Sequence, residues 1–187
     1  DDLRGFGRHR LHVPQATLAN QIRYQVGAAQ AMARAAGGGG RHLKLHGALA
    51  NMASEDAGLA RACYEAALSA APDIAIMVLA ATQQQRAAED LGATWVGEIF
   101  ADRAYNDDAT LVDRSKPGAV IHDADVAGPR VAQMVKEGAI ITESGKRIET
   151  RIDTICLHGD TPEAIDIARS VRKALEGEGV AVKTFGT

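Results

Sequence analysis

An ammonium group and an imidazole lie two residues apart at the end of a short predicted strand. Lys44 and His46 close the alternating segment 41–45, and Gly47 follows directly. Because alternate residues of a strand face the same side, both side chains should project together at its carboxyl end, which is where ligands bind in α/β folds. The pair could hold a carboxylate or phosphate beside a proton-transfer group. The structural alternative is a lysine that extends along the surface and a histidine that stabilises a turn.

A second strand end combines two carboxylates, a guanidinium and a phenol. Glu98 lies in the predicted strand 94–99, and Asp102, Arg103 and Tyr105 follow it. A carboxylate at this position could act as a general base or orient a histidine, and the phenol could donate to an oxyanion. The competing interpretation is a surface ion pair between Asp102 and Arg103, which would contribute little to stability, with a tyrosine that packs on the loop.

A third strand end carries an imidazole and a carboxylate. His158 and Asp160 follow the predicted strand 153–157. They could transfer protons, although Asp160 is equally well placed to stabilise the start of the next helix. Because strand ends of this kind meet at one edge of a sheet, a single site is expected. The expected lining is His46, Glu98 and His158 in one cleft, with Lys44 and Arg103 at its rim.

The N-terminal half alternates between helix-like and strand-like patterns. Apolar residues three and four apart predict a helix that starts at Pro14 and stops at Gly37. Ser54 is the predicted cap of a second helix and Thr82 that of a third. The apolar run 74–80 is typical of a strand covered on both faces. Strands separated by helices predict an α/β fold with a parallel sheet or barrel.

The C-terminal half continues this alternation with one interruption. Residues 139–150 alternate and turn at a Ser-Gly pair, which predicts a β-hairpin. Further strands are predicted at 119–121 and 180–182, and Thr161-Pro162 is the predicted start of the last helix. No shift in composition marks a domain boundary, so residues 1–187 are expected to form one domain with the hairpin as an insertion.

Composition and motifs exclude several classes of function. The net charge of −3 and the mixing of acidic and basic residues leave no basic stripe for nucleic acid. The two cysteines, Cys63 and Cys156, form no CxxC pair, so a reduced, cytoplasmic protein is expected. No apolar run approaches the ~18–20 residues that cross a membrane. The glycine run 37–40 precedes a strand and lacks a following Lys-Ser or Lys-Thr, so it is not a phosphate loop.

At these three strand ends and over essentially its whole length, the sequence resembles the LamB/YcsF family. Seven stretches in register carry the resemblance, and the chain departs from the family at Leu45 and Ala50, where the family usually has Pro and Tyr. The matching stretches are Gly5-Phe6-Gly7-Arg8, 24–28, Lys44 with 46–49 and Asn51, Glu98 with 100–103 and Tyr105, 117–121 with Asp123, 134–138, and 153–156 with 158–160.

The resemblance implies a seven-stranded variant of the β/α barrel, similar to the polysaccharide deacetylases. It also implies an N-terminal stretch of several dozen residues that carries an Asp, a Gly-Phe-His segment and a His-Pro segment. A chain that begins Asp1-Asp2-Leu3 is expected to lack that stretch. An incomplete barrel would expose strand edges, so we expect low stability or association into a homo-oligomer, and no activity of the chain alone.

The resemblance further implies a component of an ATP-dependent 5-oxoprolinase, which opens the lactam of 5-oxo-L-proline to L-glutamate with partner subunits B and C. ATP is the implied cofactor, and the sequence leaves metal dependence open. Because no phosphate loop is visible, the partners are expected to handle the nucleotide, and a full-length form is expected to show substrate-stimulated ATP hydrolysis only in their presence. The expected roles are an anion clamp at Lys44 and Arg103, proton transfer at His46 and His158, base or orienter at Glu98 or Asp160, and substrate contact at Asn51, Asp102 and Tyr105.

Two other functions remain as alternatives. A metal-dependent deacetylase, suggested by the analogy of fold, requires convergent His and Asp ligands and would contain bound metal. A non-catalytic regulator that binds a lactam or carbohydrate would show ligand binding without turnover, even with partner subunits added. Metal analysis distinguishes the first alternative, and a turnover assay distinguishes the second.

Overall fold

The computed structural model describes residues 2 and 4–184 as a mixed α/β fold with parallel strands, which confirms the predicted fold class at that level. The chain divides into two compact units after Val96. The seven-stranded barrel, its likeness to the deacetylases and the single domain stay predictions. Within the described residues, no helix is both long and apolar enough to cross a membrane.

The first unit joins two parallel strands to four helices. Leu43 lies beside Ile76 in the ladder, and the Ile76 N–H donates to the Thr94 carbonyl at 2.8 Å, which brings the beginning of the next strand alongside. The elements are α1 (Gln15–Ala35), β1 (His42–Lys44), α2 (Gly47–Glu55), α3 (Ala57–Ala70), β2 (Ala75–Leu79) and α4 (Gln83–Asp90).

The core of the first unit is rich in alanine, which lets its helices approach closely. Ala53, Ala60 and Ala67 are fully buried there, together with the ring of Tyr64. Burial without a charged partner raises the pKa of the Cys63 thiol to about 11.

The predicted cap at Ser54 is wrong. Ser54 lies inside α2 and donates its hydroxyl to the Asn51 carbonyl at 2.7 Å. The helix is interrupted at Asp56 instead, whose carboxylate accepts the Leu59 N–H at 3.0 Å and so caps α3. Thr82 caps α4 as predicted, since its hydroxyl oxygen accepts the Gln84 N–H at 3.2 Å.

The second unit pairs two parallel strands, and two helices pack together beside a hairpin. Ile99 lies beside Ile155 in the parallel ladder. Helix packing is close at Gly128, where an added Cβ would lie 2.3 Å from the Ser170 hydroxyl oxygen. The elements are β3 (Trp95–Phe100), which begins in the first unit, α5 (Ala124–Glu137), β4 (Ala139–Ile141), β5 (Arg147–Glu149), β6 (Thr154–Cys156) and α6 (Ala164–Gly177).

The predicted strands at 94–99 and 153–157 are present as β3 and β6, and the hairpin is also present, whereas two other predicted strands are wrong. The hairpin is confirmed, with Ile140 opposite Ile148 in an antiparallel pair. Residues 119–121 form only an isolated antiparallel bridge from Val120. Residues 180–182 form no strand, because the Val180 N–H donates to the Leu175 carbonyl at 2.9 Å and closes the end of α6 instead.

The predicted start of the last helix is also wrong. The helix α6 begins at Ala164, with Glu163 at the cap position and no side-chain cap hydrogen bond. The carbonyl of Thr161 instead accepts the Ala164 N–H at 3.2 Å, so Thr161 and Pro162 form a turn before the helix.

Candidate functional site

The ends of β3 and β6 bring a carboxylate and an imidazole together. Phe100 lies beside Cys156 in the parallel ladder, so the residues two positions further along each strand lie at the same edge. Those residues are Asp102 and His158. The Nδ1 atom of His158 lies 2.7 Å from Oδ2 of Asp102 and 3.0 Å from Oδ1.

Burial and stacking hold this Asp102–His158 pair in one arrangement. Asp102 is only 5% exposed, whereas the His158 side chain is 28% exposed, so the imidazole keeps a face open to solvent. The His158 ring also stacks on Phe100, with centroids 5.4 Å apart and planes inclined by 23°. A carboxylate at Nδ1 holds the proton on that nitrogen and leaves the Nε2 lone pair to accept another. The pair can therefore serve as a general base that becomes a general acid.

Tyr105, which was expected to contact substrate, is instead fully buried. Its hydroxyl oxygen accepts the Phe100 N–H at 2.7 Å. Burial is the main cause that raises the pKa of the phenol, and the nearby charge of Glu98 acts in the same direction. The phenol therefore completes the hydrogen bonding of the strand end beside the Asp102–His158 pair.

Arg103 was expected at an exposed rim, and the structure places it in the interior with 3% exposure. Its Nη2 donates to the Val112 carbonyl at 2.6 Å and its Nε to the Ala119 carbonyl at 3.2 Å. Burial, followed by the charge of Arg114, lowers the pKa of this guanidinium. Arg103 holds the loop that follows β3, and neither a surface ion pair with Asp102 nor an exposed clamp describes its position.

The other two carboxylates predicted for the site, Glu98 and Asp160, differ in exposure. Glu98 is buried within β3, beside Thr154 of β6. Asp160 is exposed in the bend that follows His158. Glu98 is therefore the carboxylate enclosed beneath the strand end, and Asp160 is the one that solvent reaches.

In the first unit, the loop from Gly5 to Arg8 contacts the start of α2. His46 is the N-cap residue of α2, with extended backbone and no side-chain cap hydrogen bond. The Gly7 carbonyl accepts the Ala48 N–H at 2.7 Å, so backbone takes the place of a capping side chain. Gly47 allows this contact, since its φ is +62° and a Cβ there would lie 2.4 Å from the Gly7 oxygen.

His46 also lines a cavity of about 470 Å³ within the first unit. The walls combine apolar residues such as Ile22 and Leu49 with two further imidazoles, His9 and His12. The other predicted residues lie close by in sequence. Lys44 ends β1 and is partly buried, and Asn51 is partly buried in α2.

Sequence reasoning missed two polar residues that support the strand ends, the partly buried Arg130 and the buried Gln84. Arg130 of α5 donates to the Arg103 carbonyl at 2.9 Å. Gln84 of α4 accepts from the Tyr64 hydroxyl and the Leu79 N–H, each at 3.0 Å. Neither position carries a sequence signal, because a polar residue in a helix is usually exposed. Among residues 2 and 4–184, no three or more His, Cys, Asp or Glu side chains converge to hold a metal ion.

Comparison with known proteins agrees with the sequence resemblance. The profile of the LamB/YcsF family matches residues 1–187. The chain is 66% identical over 184 residues to the A subunit of 5-oxoprolinase from Ruegeria pomeroyi, covering 98% of this chain and 73% of that protein. It is 48% identical over 187 residues to the protein of the same name from Nitrobacter hamburgensis, covering 100% and 73% of the two chains.

A solved structure supports the same assignment. The crystal structure of Lactam Utilization Protein from Thermus thermophilus matches with a TM-score of 0.87 and 38% sequence identity, covering 98% of this chain and 73% of that one. Family profile, curated relatives and solved structure therefore agree with the seven sequence stretches. The chain belongs to the LamB/YcsF family.

Proposed function

We propose that this chain is the A-type subunit of an ATP-dependent 5-oxoprolinase and takes part in opening the lactam of 5-oxo-L-proline to L-glutamate. The names of relatives 66% and 48% identical to it support this function. They favour neither a metal-dependent deacetylase nor a non-catalytic regulator. The observation that carries the proposal is the Asp102–His158 pair, a proton-transfer group held at a strand end of a chain in this family.

Lactam opening requires the proton transfers that such a pair can perform. Water adds to the carbonyl carbon, the carbon–nitrogen bond of the ring breaks, and the departing nitrogen takes up a proton. An amide carbonyl is a poor electrophile, so the reaction also needs activation, which ATP supplies in the proposed enzyme. His158 would accept the proton of water at Nε2 and return it to the ring nitrogen, while Asp102 holds the tautomer.

The other predicted residues have proposed roles within their own units. In the second unit Glu98, buried in β3, would place a carboxylate beneath the strand end. In the first unit Lys44 and His46 at the end of β1 would bind a carboxylate or a phosphate. Subunits B and C would bring the nucleotide, since the sequence has no phosphate loop.

Reconstitution tests the proposed function. The chain is combined with subunits B and C of a relative, and glutamate and ADP are measured with and without 5-oxoproline. We expect glutamate only with all three components, and ATP hydrolysis that depends on 5-oxoproline. The relative from Ruegeria pomeroyi, combined with the same partners, is the positive control. Glutamate formation by that control but not by this chain would contradict the proposal.

A further inference from the structure

Arg130 reaches the strand end that carries Asp102. It lies in the middle of α5 and is partly buried. Its Nη2 donates to the Arg103 carbonyl at 2.9 Å, and its Nη1 lies 3.4 Å from the Phe100 carbonyl and 3.5 Å from the Ala101 carbonyl. The guanidinium therefore contacts backbone oxygens on both sides of Asp102.

These carbonyls lie where the strand ladder stops. The last paired residues of β3 and β6 are Phe100 and Cys156, and the Ala101 N–H still donates to the Cys156 carbonyl at 3.0 Å. Beyond that point the backbone needs other partners, because unpaired buried groups are costly. The Ile121 N–H donates to the Asp102 carbonyl at 2.9 Å. The Arg130 guanidinium contacts the carbonyls on either side, those of Phe100, Ala101 and Arg103.

The charge of Arg130 has a second consequence. Its guanidinium carbon lies 5.5 Å from the centre of the Tyr105 ring, within the range of a cation–π interaction. Burial lowers the pKa of Arg130, and the nearby Tyr105 and Asp102 side chains oppose that change. The same Asp102 carboxylate accepts the His158 Nδ1–H, so Arg130 and His158 are both close to it.

We propose that Arg130 is a positioning residue for the Asp102–His158 pair: its guanidinium fixes the backbone on both sides of Asp102 and keeps the carboxylate aimed at His158. Arginine suits this role because its planar donors reach several carbonyls at once, whereas a lysine offers one ammonium. The kinetic part of the proposal rests on the function proposed above, and its geometric part does not.

The test compares three variants of neighbouring residues. Arg130→Met removes the donors and the charge, and Arg130→Lys keeps the charge but not the planar fork. Val131→Ala is the matched control, because Val131 is the next residue of α5 and is fully buried, so its truncation removes packing but no hydrogen-bond donor and no charge. Thermal unfolding of all three measures the loss of stability that they share.

The first readout is the NMR signal of the His158 Nδ1–H, which lies downfield of the amide protons when a carboxylate accepts it. We expect loss of this signal in Arg130→Met, a weakened signal in Arg130→Lys and an unchanged signal in Val131→Ala. Retention of the full signal in both Arg130 variants would overturn the proposal. So would equal loss in Val131→Ala, since it would show a general effect of destabilisation. If Arg130→Met does not fold, the His158 Nδ1–H signal of Arg130→Lys is compared with that of Val131→Ala, and a weaker signal in Arg130→Lys is then the expected result.

The second readout is glutamate formation in the enzyme reconstituted with subunits B and C. A misplaced carboxylate should lower kcat by about tenfold to a hundredfold in Arg130→Met, with KM for 5-oxoproline within about threefold. A rise in KM with kcat unchanged would contradict a positioning role. If the wild-type chain forms no glutamate, the proposed function fails, and the NMR signal still decides whether Arg130 positions the pair.

Discussion

The Nδ1 atom of His158 lies 2.7 Å from the Oδ2 atom of Asp102, although 56 positions separate the two residues in the chain. The same offset relates Phe100 to Cys156 in the ladder between β3 and β6. It also relates Gly97 to Asp153, whose carboxylate accepts the Gly97 N–H at 2.8 Å at the start of the ladder. The register of β3 and β6 is already fixed at Gly97 and Asp153. The geometry of the Asp102–His158 pair is therefore a consequence of that register.

Asp102→Asn should inactivate the proposed enzyme without unfolding it. The amide keeps the shape of the carboxylate but favours the wrong imidazole tautomer, an error that costs about 10⁴-fold in serine proteases. We expect kcat for glutamate formation to fall by about 10²–10⁴-fold. Asp166→Asn is the control, since that carboxylate is exposed on α6. Wild-type turnover by Asp102→Asn would contradict the assigned role.

Gly47→Ala should destabilise the first unit more than Gly92→Ala. Both glycines have a φ of +62°, but only at Gly47 would the new Cβ collide with backbone, at 2.4 Å from the Gly7 oxygen. Left-handed backbone costs either variant about 1–2 kcal/mol, and the collision adds about 1–3 kcal/mol to Gly47→Ala. Urea unfolding of both variants measures the difference. Equal free energies of unfolding would show that the loop before α1 does not hold α2.

Gln84→Met should lower the free energy of unfolding by about 2–4 kcal/mol. The Gln84 amide is buried, accepts from Tyr64 and Leu79, and donates to the Ala50 carbonyl at 2.6 Å. Methionine fills a similar volume but leaves these buried groups without partners. Gln83→Met, one position earlier and more exposed, should change stability by less than about 0.5 kcal/mol. Similar losses in both variants would argue against a special role of the Gln84 amide.

Asp107 should make the docking of the hairpin dependent on pH. Its Oδ1 accepts from the Thr142 hydroxyl at 2.6 Å and the Ser144 hydroxyl at 2.7 Å, and these hydrogen bonds lower its pKa. A lowered pKa means that this contribution to stability is complete above the unfolded pKa, which is about 4, and is lost as pH falls through the folded pKa.

Unfolding of wild type and Asp107→Asn from acid to neutral pH tests this prediction. The difference in their free energies of unfolding should be constant above about pH 5 and shrink below about pH 4. Thr142→Val removes the first cause of the shift and should weaken the pH dependence. A difference independent of pH over the whole range would contradict the prediction.

Sequence reasoning located the strand ends because apolar runs and the residues after them are local features. It left open whether a carboxylate at the end of β3 acts as a base or orients His46 or His158. The register of β3 and β6 places Asp102 beside His158. Sequence reasoning placed Arg103 at the rim of the cleft. Arginine is seldom buried, whereas this one lies in the interior. Carbonyls of the loop after β3, at Val112 and Ala119, pair the guanidinium, and their position depends on tertiary structure.

Helix faces and helix ends were also harder to predict, because they depend on contacts with distant parts of the chain. Arg130 follows a proline in a helix whose fully buried residues include Val131 and Met134, so nothing local indicates that its side chain turns inward. Val180 lies in an alternating apolar segment typical of a strand. Its N–H is used to close α6, an arrangement that depends on the left-handed Gly179 before it.

Replacement of His158 tests the central claim most directly. The measurement is kcat for glutamate formation from 5-oxoproline by His158→Gln in the enzyme reconstituted with subunits B and C. The exposed His122 provides the matched control, His122→Gln. Loss of the proton-transfer group predicts a fall in kcat of about 10²–10⁴-fold for His158→Gln, with the His122 variant near wild type. A His158→Gln enzyme whose kcat stays within about threefold of wild type would contradict the account.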